Sequence, residues 1–343
     1  MTDSSGSVPL GGIATGIGSW PGTDPREAAT IVVGELGDLP HIVELPARGV
    51  GADMIGRAGA LLIDLHFDTT TRGYRLTARQ GNAARRSSVF LRDDLDALEE
   101  AWGTAGFNGL GKTVKVQTCG PLTLAAEVEL ANGHRVITDS GALRDFSESL
   151  AEGLSQHVAE VARRLDAKVL VQIDEPLLSD VLNGSLRGVT SMDSIGAMPA
   201  PDALNFLDTV IDAANAPVLV HNCASSPPLE LLRRSHASYV GIDVAQLEPA
   251  DLDGIGELLE AGKGVALGLV PSTDTPAVRK WRDLAEPALQ LVDRLGFPRA
   301  TLGSKVIVTP SCGLAGASDA WARKALRLST EVARAFAEEP ESL

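Results

Sequence analysis

Lys168-Val169-Leu170-Val171-Gln172-Ile173-Asp174-Glu175-Pro176 is the stretch on which the fold turns. A short, mostly apolar and β-branched run ends in two carboxylates and a proline. Such a run fits a strand of a parallel sheet covered on both faces, with its polar groups marking the C-terminal end. Working outward, similar runs occupy Gly12 to Ser19, His41 to Leu45, Val114 to Thr118, Pro217 to Val220, Tyr239 to Val244, Gly264 to Val270 and Lys305 to Val308. Helical signals lie between most of them. Asp24-Pro25-Arg26-Glu27 offers an N-cap, a first-turn proline and an early acid, and Asp139 or Ser140 opens an amphipathic stretch to Leu165. Further stretches run from about Asp94 to Ala105, Asp202 to Ala214, Pro249 to Ala261, Pro276 to Leu295 and Ala317 to Ala337. Eight strands alternating with helices and no dividing linker predict an α/β fold, a single (β/α)8 TIM barrel over residues 11–338. Residues 1–10 and 339–343 read as tails. A long insert after the second strand, residues 46–93, contains Gly73-Tyr74-Arg75-Leu76-Thr77 and is expected to hold a hairpin or lid over the barrel mouth.

Composition narrows the function. With 343 residues, 44% hydrophobic and 22% charged, the chain is long enough to bury a core and excludes disorder and collagen. Forty-five acidic against thirty basic side chains leave a formal charge of −15, a field that repels nucleic acid and anionic lipid. The start, Met1-Thr2-Asp3-Ser4-Ser5, has neither a basic nor an apolar leader region, and the expected location is the cytoplasm, without membrane contact. Gly106-Phe107-Asn108-Gly109-Leu110-Gly111-Lys112-Thr113 matches the P-loop pattern. A P-loop follows a strand and opens a helix, whereas here a helix precedes and a strand follows, so the segment reads as a turn with a solvated Lys112.

In such barrels the chemistry stands at the C-terminal strand ends. Those ends read Gly18-Ser19, Glu44, Cys119-Gly120-Pro121, Asp174-Glu175-Pro176, His221-Asn222-Cys223, Asp243, Ser272 and Cys312. His221 and Cys223, two apart on an extended segment, point to one side, and barrel closure would bring Cys312 to the same mouth. A His, two thiolates and a carboxylate suit Zn²⁺ better than Mg²⁺ or Ca²⁺. The bland alternative is a buried His with two inert Cys. Asp174 and Glu175 could instead cap the following helix, and Glu44 could simply pair with Arg48. Cys119 reads as barrel wall; His41, His66, His134, His157 and His236 read as surface or structural.

Thr15 to Pro21, Gln172 to Pro176, His221-Asn222-Cys223 and Pro310-Ser311-Cys312-Gly313-Leu314 together resemble the catalytic barrel of cobalamin-independent methionine synthase. That barrel is grouped with uroporphyrinogen decarboxylase and the corrinoid-dependent methyltransferases. The resemblance implies a zinc-dependent methyl transfer to the thiol of homocysteine. It implies that Ile17, Gly18, Ser19, Glu44 and Asp174 hold the amino-acid end, with Asp174 and Glu44 as the catalytic carboxylates. It also implies that His221, Cys223 and Cys312 bind zinc, with Asp243 where the synthase has a glutamate as fourth ligand. Some features depart from the pattern. There is one barrel where the synthase has two, Glu127 stands where a folate-side tryptophan is expected, and Leu269 to Asp274 contains no histidine to act as proton donor. Thiol activation is therefore expected to be intact and folate use lost, with a methylcobamide or corrinoid protein as donor. Two other readings stand beside it. One is a metal-free lyase similar to uroporphyrinogen decarboxylase, using Arg48, Arg57 and Arg72. The other is a non-enzymatic thiol- or metal-binding barrel acting as a regulator or partner subunit.

Overall fold

Seven of the apolar runs pair in a single parallel sheet in the computed structural model, which describes residues 10–188, 194–275 and 280–343. In chain order the strands are β1 (Ile13–Ala14), β2 (His66–Thr70), β3 (Gly73–Thr77), β4 (Thr113–Cys119), β5 (Val128–Glu129), β6 (Lys168–Asp174), β7 (Val218–His221), β8 (Tyr239–Asp243), β9 (Gly264–Val270) and β10 (Val306–Pro310). The sheet runs β1-β10-β9-β8-β7-β6-β4, so each strand lies beside its predecessor and the first lies beside the last. This curled sheet with helices between its strands is TIM-barrel-like.

Two expected strands are short or irregular, and the reason lies in side chains from other strands. Only Ile13–Ala14 of the first run forms a ladder, and residues 41–45 make isolated parallel bridges, His41 with Lys115 and Glu44 with Ser19. Polar side chains take the carbonyls that a ladder would use. Gln172 Nε2 and Lys115 Nζ both donate to Ile17 O, and Gln117 Nε2 donates to Ile42 O at 2.8 Å. Gly18 adds a φ of +145°, and a Cβ there would press on the Gln117 amide.

Helix signals were informative where the cap is local. Asp24 caps Pro25–Glu35, and Asp139 rather than Ser140 caps Ser140–Leu165, accepting from Ala142 N at 2.9 Å. The helix expected from about Asp94 instead starts at Asn82 and ends at Thr104. Its first amides are held by Asp68 of the hairpin strand β2, at 3.1 Å to both Asn82 N and Ala83 N. A cap supplied from so far back leaves no local signature. The hairpin expected around Gly73 is present as β2 and β3, antiparallel, with β5 alongside. The start of the helix expected from Pro276 lies outside the described residues, as do residues 1–9; Trp281–Leu295 is helical. Residues 340–342, read as a tail, form a 3-10 turn, and Glu341 accepts from Ala300 N at 3.3 Å. Among the described residues no helix is long and apolar enough to cross a membrane.

The main core lies between the sheet and its helices and includes the fully buried Trp102, Phe146 and Phe336. Each such side chain contributes about 1.5–3 kcal/mol of transfer free energy. A second apolar cluster, Leu39, Leu170, Leu219, Tyr239, Ala266 and Ile307, packs against the opposite face of the sheet. Because side chains alternate along a strand, Gln172 and Asp174 share that face with Leu170, as His221 does with Leu219. The cluster thus fills one end of the concave face, and polar groups occupy the other.

Candidate active site

The parallel register sets the first contact: Asp174 of β6 lies beside His221 of β7. Asp174 Oδ1 is 2.8 Å from His221 Nδ1, and it also accepts from Gln172 Nε2 at 2.8 Å. The other ring nitrogen, His221 Nε2, is buried and has no hydrogen-bond partner. Just past β7, Cys223 lies with its sulfur 3.7 Å from that of Cys312, which follows β10; both cysteines are free thiols. The sulfur–sulfur contact and burial push the Cys223 thiol up, while the same contact brings Cys312 down to about 6.

Ile17, Ser19, Glu44, Asp174, His221, Cys223 and Cys312 line one cavity of about 340 Å³ together with Pro46, Ala52, Asp53 and Met54 of the insert. The donor set fits zinc on two counts. An orphaned imidazole nitrogen whose partner nitrogen is held by a carboxylate is the usual state of a metal-binding histidine. Two thiolates each about 2.3 Å from a tetrahedral ion stand about 3.8 Å apart, close to the spacing seen here. Among the described residues, however, no group of three or more His, Cys, Asp or Glu side chains is placed to hold a metal ion. Asp243 does not line the cavity, though it is near enough to His221 to feel its charge. Its Oδ1 accepts from Ala245 N at 3.0 Å, capping the turn Val244–Gln246, and burial raises its pKa.

Glu44 pairs with Arg57 at 3.7 Å and not with Arg48, which lies 2.7 Å from Asp94. Arg57 also bonds Asp94. Burial raises the Glu44 carboxyl to about 7; Asp174 adds to the effect and Arg57 opposes it. The three arginines that could serve a polycarboxylate lyase all have carboxylate partners, since Arg72 pairs with Glu129 at 3.0 Å.

Glu175 does cap a helix, but not the one that follows it. Its oxygens accept from Leu122 N at 2.9 Å and from Thr123 N and Oγ1 at 2.8 and 2.6 Å, holding the start of Pro121–Glu127. A Cβ at Gly120 would collide with that carboxyl, which accounts for the Gly120-Pro121-Leu122-Thr123 sequence. Burial raises Glu175 to about 7. Gly313 similarly leaves room for the Ser19 hydroxyl. Cys119 is fully buried in the sheet, and burial raises its thiol well above the usual range. His41 is buried with its Nδ1 2.8 Å from the carbonyl of the next residue, Ile42, and burial lowers it to about 3. Lys112 of the rejected P-loop is not simply solvated: it donates to Gly37 O at 2.6 Å, in a turn between a helix and β4. The sequence reading named Arg57 only for the lyase alternative, not as the partner of Glu44, and it missed the buried Lys115 and Gln117. Lys115 and Gln117 alternate with Val114 and Val116, a polar period inside a strand expected to be apolar on both faces, and that was the available signal.

A model of the cobalamin-independent synthase catalytic domain matches residues 13–335. The chain belongs to this family. It is accordingly a methyltransferase. Among solved structures, a B12-independent methionine synthase from Shewanella sp. W3-18-1, in complex with selenomethionine, is similar with a TM-score of 0.62 and 11% identity, over 97% of this chain and 100% of that one. A methyltransferase from Methanosarcina mazei gives 0.57 and 14%, over 98% and 95%. At these identities the two structures speak to the fold. A comparison with curated proteins finds no match in sequence. Synthase-family membership removes the non-enzymatic reading and, with its arginines committed, leaves the lyase without support.

Proposed function

We propose that this synthase-family chain is a zinc-dependent methyltransferase acting on the thiol of homocysteine or a similar small thiol. The observation that carries the proposal is the partnerless His221 Nε2 in the cavity that also holds the Cys223 and Cys312 sulfurs. Zinc held by His221, Cys223 and Cys312 would supply a Lewis acid that keeps a substrate sulfur ionised near neutral pH. Asp174 fixes the His221 ring and offers a carboxylate to a substrate ammonium. Glu44, raised to about 7, gives up its proton more readily when an ammonium arrives, so substrate binding and carboxylate charging reinforce one another. Ile17, Gly18 and Ser19 present backbone to the amino-acid end. Orientation rather than acid–base chemistry is what these residues contribute.

A cavity of about 340 Å³ is at the small end for ligand sites, which suits an amino-acid thiol and leaves a bulky donor outside. We infer a methylcobamide, free or on a corrinoid protein, as that donor. Glu127 replaces the expected tryptophan, and Leu269 to Asp274 offers no histidine to protonate a leaving folate nitrogen. The same reading takes residues 41–44 as the eighth stave of a closed barrel, supported by the bridges at His41 and Glu44. The test has two parts. Protein purified without added metal should carry about one zinc per chain, and with homocysteine it should form methionine faster from methylcobalamin than from methyltetrahydrofolate triglutamate. No zinc overturns the metal assignment, and a faster reaction from the folate overturns the donor.

A further inference from the structure

Lys115 lies fully buried on the concave face of the sheet, an expensive place for an ammonium, and the chemistry proposed above makes no use of it. Its Nζ donates to Gln172 Oε1 at 2.8 Å, Ile17 O at 3.2 Å and Gln117 Oε1 at 3.4 Å. Gln172 Nε2 in turn donates to Asp174 Oδ1 at 2.8 Å and Ile17 O at 2.7 Å, and Asp174 Oδ1 meets His221 Nδ1 at 2.8 Å. The lysine and the carbonyl at one end of this series fix the orientation of the Gln172 amide. A lysine only donates and a peptide carbonyl only accepts. Turning the Gln172 amide over would set its oxygen against a carbonyl and a carboxylate, and its NH₂ against an ammonium. One orientation alone satisfies all the contacts. The Gln172 donation leaves Asp174 Oδ1 an acceptor, and a carboxylate there accepts from His221 Nδ1 as well, which in a neutral ring leaves Nε2 its lone pair.

We propose that Lys115 and Gln172 are positioning residues that set the His221 tautomer through Asp174 and so keep Nε2 available to a metal, an inference that rests on the zinc reading above. The same pair grips Ile17 O, so the segment that would hold the amino-acid end and the metal-binding ring are fixed by one buried polar group. Burial lowers the lysine to about 8, while Asp174 and Glu44 work against that fall, which leaves it predominantly charged at neutral pH.

The test is made on metal-free protein labelled with ¹⁵N-histidine, with the His221 signals assigned by their loss in His221→Asn. Two-bond ¹H–¹⁵N correlation should show the wild-type ring protonated at Nδ1 alone. Lys115→Met and Gln172→Leu, both close in volume, should turn that signal into a tautomer mixture. They should also weaken zinc by about tenfold in chelator competition, the lower end of what second-layer partners of a metal ligand cost. Gln172→Glu can still pair with Lys115 but cannot donate to Asp174, and should behave like Gln172→Leu. It also separates positioning from packing should Lys115→Met not fold. A wild-type ring protonated at Nε2 overturns the inference, as do variants that keep both the wild-type tautomer and the wild-type zinc affinity. A wild-type protein that binds no zinc defeats the zinc reading instead, and the tautomer measurement still decides the role of Lys115.

Discussion

The walls of the cavity differ in how complete they are. The segment from Glu44 to Arg57 is backed by a buried array in which Glu44, Arg57, Asp94 and Arg48 set two anions against two cations. Individual atoms there, Arg48 Nε, Arg57 Nε and Asp94 Oδ1, lack hydrogen bonds, but each charge already has a counter-charge. The wall built from the ends of β6, β7 and β10 holds an imidazole nitrogen with no partner and two sulfurs that share one contact. A buried array of matched charges holds structure, whereas donors left open are finished only by a ligand. The contrast predicts that mutations on the first wall act on stability and mutations on the second act on metal.

The largest effect should come from the open wall. Cys223→Ser or Cys312→Ser should empty the metal site, seen as loss of zinc by elemental analysis, with little change in unfolding midpoint of the metal-free protein. Full zinc occupancy in either variant would break the contrast. Next is the matched wall. Asp94→Leu leaves two buried arginines without their carboxylate and should cost about 3–5 kcal/mol in denaturant unfolding while zinc affinity is kept. A variant of wild-type stability that loses zinc would merge the two walls into one site. Smaller again, Asp174→Ala should weaken zinc by about ten- to a hundredfold through its hold on His221, read by chelator competition.

Glu44 connects the walls, and pH sharpens its place. Its carboxyl lies at about 7 when folded against an ordinary 4.5, so the folded protein retains a proton that the unfolded chain releases. The associated stability is full below about 4.5 and is lost as pH rises through about 7. Denaturant midpoints of wild type should therefore fall relative to those of Glu44→Gln across that window, and parallel curves would place the carboxyl in an ordinary environment. The smallest effect is expected at Asp243, whose carboxylate is engaged in capping. Asp243→Ala should cost about 0.5–2 kcal/mol of stability and change zinc affinity by about twofold or less. A tenfold loss would make it a ligand.

Most of the strand order could be read from sequence because β-branched runs flanked by helices leave few alternatives, and His221-Asn222-Cys223 announced itself at a strand end. The irregular first run and the missing ladder at 41–45 were not legible. They depend on Lys115, Gln117 and Gln172 reaching across to distant carbonyls. For the same reason the pairing of Glu44 with Arg57 rather than the nearer Arg48 was hidden: Asp94, far along the chain, claims both arginines. Asp68, capping a helix that begins beyond its own hairpin, is the third case. In each, the partner that decides the outcome is remote in sequence.

β1 pairs with β10, and Ser19 O accepts from Leu314 N beyond Cys312. During synthesis β1 therefore waits for β10 before its ladder can form, and the cavity that begins at Ile17 acquires its final wall only when Gly313 has been made. Until then the nascent chain carries an unpaired apolar edge and an unfinished pocket. A ribosome that stalls before Cys312 therefore leaves a pocket that lacks one of its two sulfurs and the wall that closes it.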